Sequence, residues 1–430
     1  MPYKQAGSKL HTAAKSWRTE ITAGVIGYLT TVYIVAVNGS ILSETGMPLE
    51  SGMIATIIAS FIGTILMGLI ARLPLIIIPG MGINALFVYS IVEGAGMTLQ
   101  EGLAVILIAS ILFLITSFSR LGTLLRRAIP ESLKHAITVG LGFFLILIGL
   151  EKSGLVVSGE HTLIAIGDFS SPEVIVSLLT LFIAIFLFIK NIPANFLITM
   201  ISGTILASVF GILDAGTATS AVDVKLGDMI WMPSFSAIGE LSFWLAIFPL
   251  TIILIFENMG LLNGQLHMLQ NDSNFKTAYK TTAISALTCA FLGTSPTVTA
   301  AENTAVITSG GRSGKSALTA GLLFLATIFI IPWISMIPAT AISPILIIVG
   351  VLMAQNIRHV PLDDLSEALP AFLIVVMIPF TYSIADGMAF GFIAYPIVKI
   401  ALGRQKELTG VLMAVSALFI VDFIMKIAGI

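Results

Sequence analysis

Apolar runs separated by short polar loops follow one another along nearly the whole chain of 430 residues. A helix needs about 20 consecutive apolar residues to cross a bilayer, and most of these runs approach that length. Two runs, at residues 74–92 and 296–309, are interrupted or short. We therefore predict an all-α polytopic membrane protein. Its apolar runs lie at about residues 21–42, 51–71, 74–92, 101–119, 133–150, 173–189, 192–213, 241–264, 279–293, 296–309, 317–337, 341–355, 368–384, 386–402 and 409–428.

Composition excludes several other classes of protein. Hydrophobic residues make up 57% of the chain and charged residues only 10%, whereas a soluble domain carries about 25% charged residues. That scarcity excludes a soluble globular enzyme and a disordered chain, and a net charge of −2 without a basic tract excludes a nucleic-acid binder. With one cysteine, Cys289, and five scattered histidines, we expect no disulfide framework, no metal site and no bound cofactor.

The distribution of Lys and Arg among the loops predicts the orientation in the membrane. Residues 1–20 are polar and basic, and no small-residue cleavage site follows a short apolar region, so we expect a cytoplasmic N-terminal segment without a signal peptide. In that orientation the outside loops hold only two cations, Lys152 and Lys225. The inside loops hold Arg72, Arg120, Arg126, Arg127, Lys134, Lys190, Lys276, Lys280, Arg312, Lys315 and Arg358.

The last part of the chain allows two interpretations. If 368–384 and 386–402 cross separately, the cations between Lys399 and Lys406 fall inside, and 409–428 is an additional apolar helix. If 368–402 is instead one long broken helix, 409–428 becomes the last span and those cations fall outside. The first interpretation is preferred because it keeps the cations on the cytoplasmic side.

The two interrupted runs occupy matching places in the two halves of the chain. Pro79-Gly80-Met81-Gly82 interrupts the third run, and Gly293-Thr294-Ser295-Pro296 precedes the tenth, close to half the chain length later. Such Gly/Pro-interrupted spans are typical of inverted-repeat transporters. We therefore predict about fourteen spans arranged as a 7+7 inverted repeat. Its parts are a cytoplasmic segment 1–20, a first repeat 21–213, an extracellular linker 214–240, a second repeat 241–402 and a C-terminal apolar helix 403–430.

Two acidic side chains fall inside predicted spans, away from the span ends, with no Lys or Arg within four residues. Glu257 lies in the eighth span and Glu302 just after the break in the tenth, and each is followed by an asparagine, Asn258 or Asn303. An ionisable group at membrane depth is costly, so it is a functional candidate. Burial without a cation favours the protonated carboxyl, which can carry a proton or accept N–H groups of a polar ligand. The alternative is a protonated glutamate that only packs two helices together.

The breaks predict where a ligand binds. We expect residues 79–85 and 295–301 to meet near the midplane and to present backbone donors together with Asn84, Thr297 and Thr299. Such a site suits a flat, polar, neutral ligand, and no Arg or Lys accompanies it in the sequence to favour an anion. Asp386, which stands where the penultimate spans meet, is either functional or a helix cap.

Four motifs stand in order along the chain. The first runs from Thr19 to Pro48 and includes Tyr33 and Asn38, and the second is Pro79-Gly80-Met81-Gly82-Ile83-Asn84-Ala85. The third is Leu292-Gly293-Thr294-Ser295-Pro296 followed by Glu302, and the fourth is Thr381-Tyr382-Ser383-Ile384-Ala385-Asp386-Gly387. Together they resemble the motifs of the nucleobase–cation symporters, and among these the AzgA-like branch of purine permeases.

The resemblance implies a core domain and a gate domain, short extended segments in the third and tenth spans, and a homodimer in the cell membrane. It also implies a secondary active transporter that carries a nucleobase with a cation, H⁺ or Na⁺. In this family Glu302 matches the substrate carboxylate, Asn84 a polar residue near the base, and Glu257 the eighth-span acid that contacts the base or carries the proton. The predicted substrate-binding residues are Glu257, Glu302, Asn84, Ala85, Ala301 and Thr299, with Asn258, Asn303 and Asp386 as secondary candidates.

The eighth span departs from the AzgA-like pattern. That branch shows two acids spaced D-x-x-D, whereas this chain has Leu254 at the first position and Glu257 at the second. Glu257-Asn258-Met259-Gly260 is similar to the E-H-x-G of uracil and xanthine permeases. We predict a proton-coupled importer of a purine (hypoxanthine, guanine or adenine) that works by alternating access. The alternatives are a uracil or xanthine permease, an uncoupled facilitator and a sulfate- or bicarbonate-type anion transporter. A membrane enzyme is the remote alternative.

Overall fold

The computed structural model describes residues 16–119, 128–159, 161–213 and 230–428. Most of the predicted segment 1–20 and linker 214–240, together with the cations Arg120, Arg126, Arg127 and Lys225, lie outside the described residues. The elements in chain order are α1 (Trp17–Thr31), α2 (Tyr33–Leu42), α3 (Leu49–Leu66), β1 (Ile77–Pro79), α4 (Met81–Ala85, continued as a π-helix over Leu86–Gly94), α5 (Leu99–Phe118), α6 (Glu131–Lys152), β2 (Val156–Val157), β3 (Ala165–Ile166), α7 (Pro172–Ile189), α8 (Asn195–Val209), α9 (Leu241–Leu269), α10 (Phe275–Leu292), β4 (Thr297–Thr299), α11 (Asn303–Thr308), α12 (Gly314–Ala326), α13 (Ile331–Ile334), α14 (Ala339–Ala354), α15 (Leu365–Thr381), α16 (Ile384–Ala401) and α17 (Gly410–Ala428).

The described part of the chain contains ten helical runs that are long and apolar enough to cross a membrane. Three shorter apolar helices add to them, at Met81–Gly94, Asn195–Val209 and Leu365–Thr381. The first long run, Trp17–Thr45, joins α1 and α2. The prediction of an all-α, multi-pass membrane protein is therefore confirmed.

The two interrupted runs form a short two-stranded ribbon. β1 pairs antiparallel with β4, and Pro79 lies opposite Thr297, so the prediction that the breaks meet is confirmed. The helical parts are shorter than predicted, because in the run 74–92 the chain is not helical before Gly80 and α4 begins after it. A proline has no N–H to give to a helix and biases the residue before it towards extended backbone. In the tenth run only the six residues of α11 are helical after the strand.

The segment between residues 365 and 401 forms two helices. α15 ends at Thr381, and the left-handed φ of +54° at the next residue, Tyr382, turns the chain. α16 then packs back along α15, with Gly387 against Ile378. This segment is therefore two helices side by side, as the preferred interpretation predicts, and not one long broken helix. α17 packs in turn on α16, where the Ser416 hydroxyl donates to the Phe392 carbonyl oxygen at 2.6 Å.

The helices group into two bodies according to their contacts. α1–α5 and α9–α12 pack with one another around the ribbon, and we call them the core body. At the centre of the second body, α6 packs along α14. α7 and α8 pack against α14, and α15 and α16 pack against α6. We call these six helices the gate body. The division places the ribbon in one body and the helices that face it in the other.

Two glycines let the central helices of the gate body approach closely. A Cβ built on Gly142 of α6 would lie 2.5 Å from the carbonyl oxygen of Gly350 on α14, and a Cβ on Gly350 would meet the Gly142 carbonyl oxygen in the same way. Small residues at helix crossings allow the backbone contact that drives helix association in lipid. α6 and α14 are therefore joined backbone to backbone at this point.

A buried lysine ties α15 and α16 to the start of α6. The Nζ of Lys399 lies 2.7 Å from Glu367 Oε1 and 2.5 Å from Glu407 Oε2, and Lys399 is fully buried. The Tyr395 hydroxyl donates to Glu367 Oε1 at 2.7 Å, and the Ser132 hydroxyl donates to Oε2 of the same carboxylate. A buried charge is tolerated only when it is paired and hydrogen-bonded, so this network holds one end of the gate body together.

Candidate functional site

Side chains of neighbouring helices satisfy the edges of the ribbon. Thr64 of α3 donates to the Ile77 carbonyl oxygen and accepts from the Ile77 N–H, both at 3.0 Å. On the other strand, the hydroxyls of Ser285 and Thr297 lie 2.7 Å apart. An unsatisfied backbone group in hydrocarbon is costly, so non-helical backbone at this depth depends on such contacts.

Two amide side chains hold the end of the ribbon that leads into α11. Gln265 of α9 donates through Nε2 to the Ala300 carbonyl oxygen at 2.7 Å. Asn303 binds both backbone groups of Ile76 with its side-chain amide. Asn303, a secondary candidate for ligand binding from the sequence, thus uses both of its polar groups within the protein.

A cavity of about 650 Å³ lies beside the ribbon, between the core body and the gate body. The core wall consists of the end of β1, residues 298–302 and the middle of α9, and the gate wall consists of α6, α14 and the turn after α14. The cavity extends towards the end of the bundle where α6 begins and α14 ends. Its polar lining residues are Tyr33, Glu131, Lys134, His135, Thr138, Glu257, Asn263, Thr299, Glu302, Asn356 and His359.

Four of the predicted substrate-binding residues come together in this cavity, namely Glu257, Thr299, Ala301 and Glu302. Glu302 Oε1 accepts a hydrogen bond of 2.6 Å from the hydroxyl of Tyr33. Glu257 Oε2 and Thr299 Oγ1 are buried and have no hydrogen-bond partner among the described residues. Because buried polar atoms are nearly always paired, these two oxygens mark a place where a polar ligand would complete the hydrogen bonding.

Asn84, Ala85 and Asn258 have a different position. All three are buried, and none of them is among the residues that line the cavity. On α4 the cavity-lining residues are Met81 and Gly82. Both polar atoms of the Asn84 side chain, Oδ1 and Nδ2, are buried and have no hydrogen-bond partner among the described residues.

Asp386 lies at the start of α16 and does not line the cavity. Its backbone N–H donates to the Ser383 side chain at 3.2 Å, and its carboxylate forms an ion pair with Lys426 of α17. These contacts describe a helix terminus joined to the next helix. The cap of α16 is Ser383, so the structural role that these contacts give Asp386 is an ion pair between α16 and α17 and not a helix cap.

The expectation that no cation accompanies the site is wrong. Lys134 of α6 lines the same cavity, with its Nζ 4.8 Å from the centre of the Phe256 ring and 2.9 Å from Glu131 Oε1. Phe256 directly precedes Glu257 in the sequence. The sequence could not show this proximity because α6 and α9 are distant in the chain and meet only in the fold.

Sequence reasoning also missed several other lining residues as members of the site. The rings of His135 and His359 lie 5.1 Å apart on the gate wall, although nothing in their spacing along the chain joins them. For Tyr33 a signal existed, since it belongs to the first motif, but 269 positions separate it from Glu302. The described part of the chain contains no group of three or more His, Cys, Asp or Glu side chains that could hold a metal ion.

Comparison with known proteins assigns the chain to a family. The family model Xan_ur_permease, described as "Permease family", matches residues 18–389, a range that includes the ribbon, both cavity walls and both acids. The chain belongs to this permease family. The resemblance to nucleobase–cation symporters is thereby confirmed, and the protein is a transporter and not an enzyme.

Several permeases are similar to this chain over most of its length. The nucleobase transporter PlAzg2 of Paenibacillus larvae is 41% identical over 382 residues, which cover 88% of this chain and 77% of the relative. The guanine/hypoxanthine permease PbuO of Bacillus subtilis is 36% identical, and the aligned part covers 95% of this chain and 97% of PbuO. The adenine permease AdeP of Escherichia coli is 35% identical, with 97% and 95% covered.

Solved structures share the fold of this permease at low sequence identity. The transmembrane domain of the cyanobacterial bicarbonate transporter BicA superposes with a TM-score of 0.70 at 17% identity, and covers 87% of this chain and 98% of that domain. SLC26A9 gives a TM-score of 0.67 at 13% identity, with 90% and 65% covered. At such identities the likeness concerns the fold alone.

Proposed function

We propose that this permease imports a nucleobase, and most specifically a purine, by proton symport with alternating access. The observation that carries the proposal is that Glu257, Thr299 and Glu302 line one cavity, and that Glu257 and Thr299 each present a buried oxygen without a protein partner. A nucleobase is flat and neutral and carries N–H donors and acceptors on its edges. It therefore supplies the groups that these side chains lack.

Each side chain has a chemical role in this proposal. Glu302, already engaged by Tyr33 through Oε1, accepts an N–H of the base through its other oxygen. The Thr299 hydroxyl donates to a ring nitrogen or a carbonyl oxygen of the base. A neutral base loses little hydration energy on entering the cavity compared with an ion. The lining of the cavity by Ile252, Ile253, Phe256 and Leu141 suits the faces of an aromatic ring.

Glu257 is the proposed carrier of the proton. It sits in the middle of α9, and its Oε2 has no described partner that would hold it in the charged form. When protonated, the Glu257 carboxyl group donates a hydrogen bond to the base, or contacts the base as a neutral group. When it loses the proton on the other side, the unpaired charge disfavours the loaded site. Transport should therefore rise as the outside pH falls.

Contacts at the opposite end of the bundle support alternating access. There Glu44 of the core body forms an ion pair with Lys152 of the gate body. The Ile384 N–H donates to Ser90 Oγ at 2.8 Å, and the ring of Tyr89 lies 5.8 Å from that of Tyr382. The two bodies thus touch at one end while the cavity extends to the other. With the proposed cytoplasmic N-terminus, the closed end faces outward and the cavity faces the cytoplasm.

The relatives narrow the proposed substrate. The names of PbuO and AdeP give guanine, hypoxanthine and adenine as substrates of those proteins, and we propose the same class for this permease. The Glu257-to-Gly260 motif in α9 keeps uracil and xanthine as the second candidates. We also propose the cell membrane as its location, a homodimer as its assembly, and the two repeats 21–213 and 241–402 as its internal organisation.

The proposal is tested with the purified full-length protein in proteoliposomes. Uptake of radiolabelled hypoxanthine, guanine, adenine, uracil and xanthine is measured with an acidic outside, with an equal pH on both sides, and with a Na⁺ gradient at equal pH. We expect accumulation of one or more purines that requires the proton gradient. Uptake that ignores both gradients would indicate a facilitator, and competition by sulfate or bicarbonate would indicate an anion transporter. Absence of any nucleobase uptake would overturn the proposal.

A further inference from the structure

Two helices of the first membrane run meet just before Tyr33. α1 ends at Thr31 and α2 begins at Tyr33. The hydroxyls of Thr30 and Thr31 both donate to the Gly27 carbonyl oxygen, at 2.8 and 2.7 Å. Hydrogen bonds of this kind from side chain to backbone bend helices. Tyr33 is the first residue of α2, and it is only 2% exposed.

The Tyr33 hydroxyl contacts one of the two site carboxylates. It donates to Glu302 Oε1 at 2.6 Å, and its other contact is the sulfur of Met81 at 3.9 Å. A distance of 2.6 Å lies in the range of a strong, charge-assisted O–H···O⁻ bond. The protein thus holds the Glu302 carboxylate through Oε1, and the same side chain lines the cavity.

We propose that Tyr33 is a positioning residue for substrate binding, because its hydroxyl holds the Glu302 carboxylate in the orientation that recognises the base. This inference rests on the proposed function. A glutamate side chain has three rotatable bonds, and fixing it before the ligand arrives reduces the entropy lost on binding. It also keeps Oε2 at one point of the cavity, so that an N–H at one position of the base is selected.

The ring of Tyr33 is itself fixed by the gate body. Its centroid lies 4.7 Å from that of Phe196 on α8, with 55° between the planes. Tyr33 therefore contacts both bodies, with its hydroxyl on the site carboxylate and its ring on a gate helix. Packing against Phe196 restricts the ring and so the place of the hydroxyl.

The test compares Tyr33→Phe with Tyr28→Phe in proteoliposomes. Tyr28 lies on the same membrane run and does not line the cavity, and its hydroxyl is 2.9 Å from Thr327 Oγ1, so both variants lose one hydroxyl and one hydrogen bond. Initial rates of purine uptake give KM and Vmax. We expect Tyr33→Phe to raise KM about tenfold, as loss of a hydrogen bond to a charged group does, with Vmax within about threefold. Tyr28→Phe should leave both constants unchanged.

Selectivity among purines is a second measurement, and it would not change if Tyr33 had only a structural role. Singly N-methylated purines compete with the substrate, and wild type should discriminate strongly against the one that blocks the N–H facing Glu302. In Tyr33→Phe this discrimination should shrink about tenfold, because a freely rotating carboxylate no longer requires that N–H at one position. Equal KM and equal selectivity in the Tyr33 and Tyr28 variants would overturn the inference.

Two further outcomes are distinguishable. If Tyr33→Phe does not fold, Phe196→Leu takes its place in the test. This variant loosens the Tyr33 ring and keeps its hydroxyl. A KM equal to that of wild type would then contradict the positioning role of Tyr33. If wild type accumulates no nucleobase at all, the proposed function fails, and the role of Tyr33 in nucleobase recognition fails with it. If wild type transports and only the Tyr33 comparison shows no difference, the proposed function stands without this residue.

Discussion

The side-chain amide of Asn303 holds the backbone of Ile76 through two hydrogen bonds. Its Oδ1 accepts from the Ile76 N–H at 2.8 Å, and its Nδ2 donates to the Ile76 carbonyl oxygen at 3.0 Å. A side chain thus takes the place of a strand partner at the end of β1. Because Asn303 directly follows Glu302, this contact also determines where the site carboxylate stands.

Replacing Asn303 by alanine should destabilise the ribbon. The Ile76 N–H would be left buried without its partner, which costs about 1–3 kcal/mol. We expect a lower Tm for Asn303→Ala in detergent, together with reduced uptake. Thr308→Ala, an exposed position on the same helix, is the matched control and should unfold like wild type. Equal Tm values for the two variants would contradict the structural role of Asn303.

Glu302→Gln should abolish uptake without unfolding the protein. The amide keeps the shape of the side chain but replaces one acceptor oxygen by a donor, which opposes the N–H of a bound base. The loss should be on the order of a hundredfold or more in kcat/KM, as for unpaired polar groups in specific sites. Uptake and the size-exclusion profile are compared with those of Glu240→Gln, an exposed acid that does not line the cavity. Near-normal uptake by Glu302→Gln would remove Glu302 from the site.

Glu257→Gln should separate binding from proton coupling. The amide resembles the protonated carboxyl, so exchange of labelled for unlabelled base across the membrane should persist. Accumulation driven by a pH gradient should be lost, and the rise of uptake at acidic outside pH should disappear. In wild type that rise is expected because protonation favours the loaded site. The comparison of exchange with gradient-driven uptake checks this, and coupled accumulation by the variant would place the proton elsewhere.

Breaking the ion pair between Glu44 and Lys152 should shift the protein away from the conformation with a closed outer end. A cysteine introduced at Thr138, on the gate wall, reports access to the cavity, because the native Cys289 is buried. With Lys152→Met we expect labelling by an impermeant maleimide to fall from the side to which the cavity opens. The exchanged pair Glu44→Lys with Lys152→Glu should restore it. Unchanged labelling in every variant would show that this contact does not hold the closed end.

Lys399→Met should destabilise the gate body strongly. Removing the lysine leaves Glu367, whose side chain is 17% exposed, without its cation, and such a loss costs about 3–5 kcal/mol. We expect a clear drop in Tm, partly reversed by adding Glu367→Gln. Lys406→Met, which changes an exposed lysine nearby, should have no measurable effect. The prediction would fail if the two lysine variants unfolded at the same temperature.

The sequence alone predicted the class of the protein, the order of its apolar spans, the two breaks and the two acids within the membrane. These features are local, because the free energy of placing a residue in hydrocarbon depends mainly on that residue and its neighbours in the same span. Pro79 and the neighbouring glycines predict non-helical backbone, and this signal is also local because it depends on the backbone preferences of those residues. The preference for two passes over 368–402 was also accessible, since it rested on the positions of cations in loops.

Only the tertiary structure decided which side chains meet. It placed Lys134, His135 and His359 in the lining of the cavity and left Asn84 outside that lining. It also paired the Asn303 side chain with the ribbon and the Asp386 carboxylate with Lys426. These outcomes depend on which face of each helix packs against which neighbour. Contacts between residues hundreds of positions apart, such as Tyr33 and Glu302, leave no local trace in the sequence, because their energy arises only when the helices that carry them are packed together.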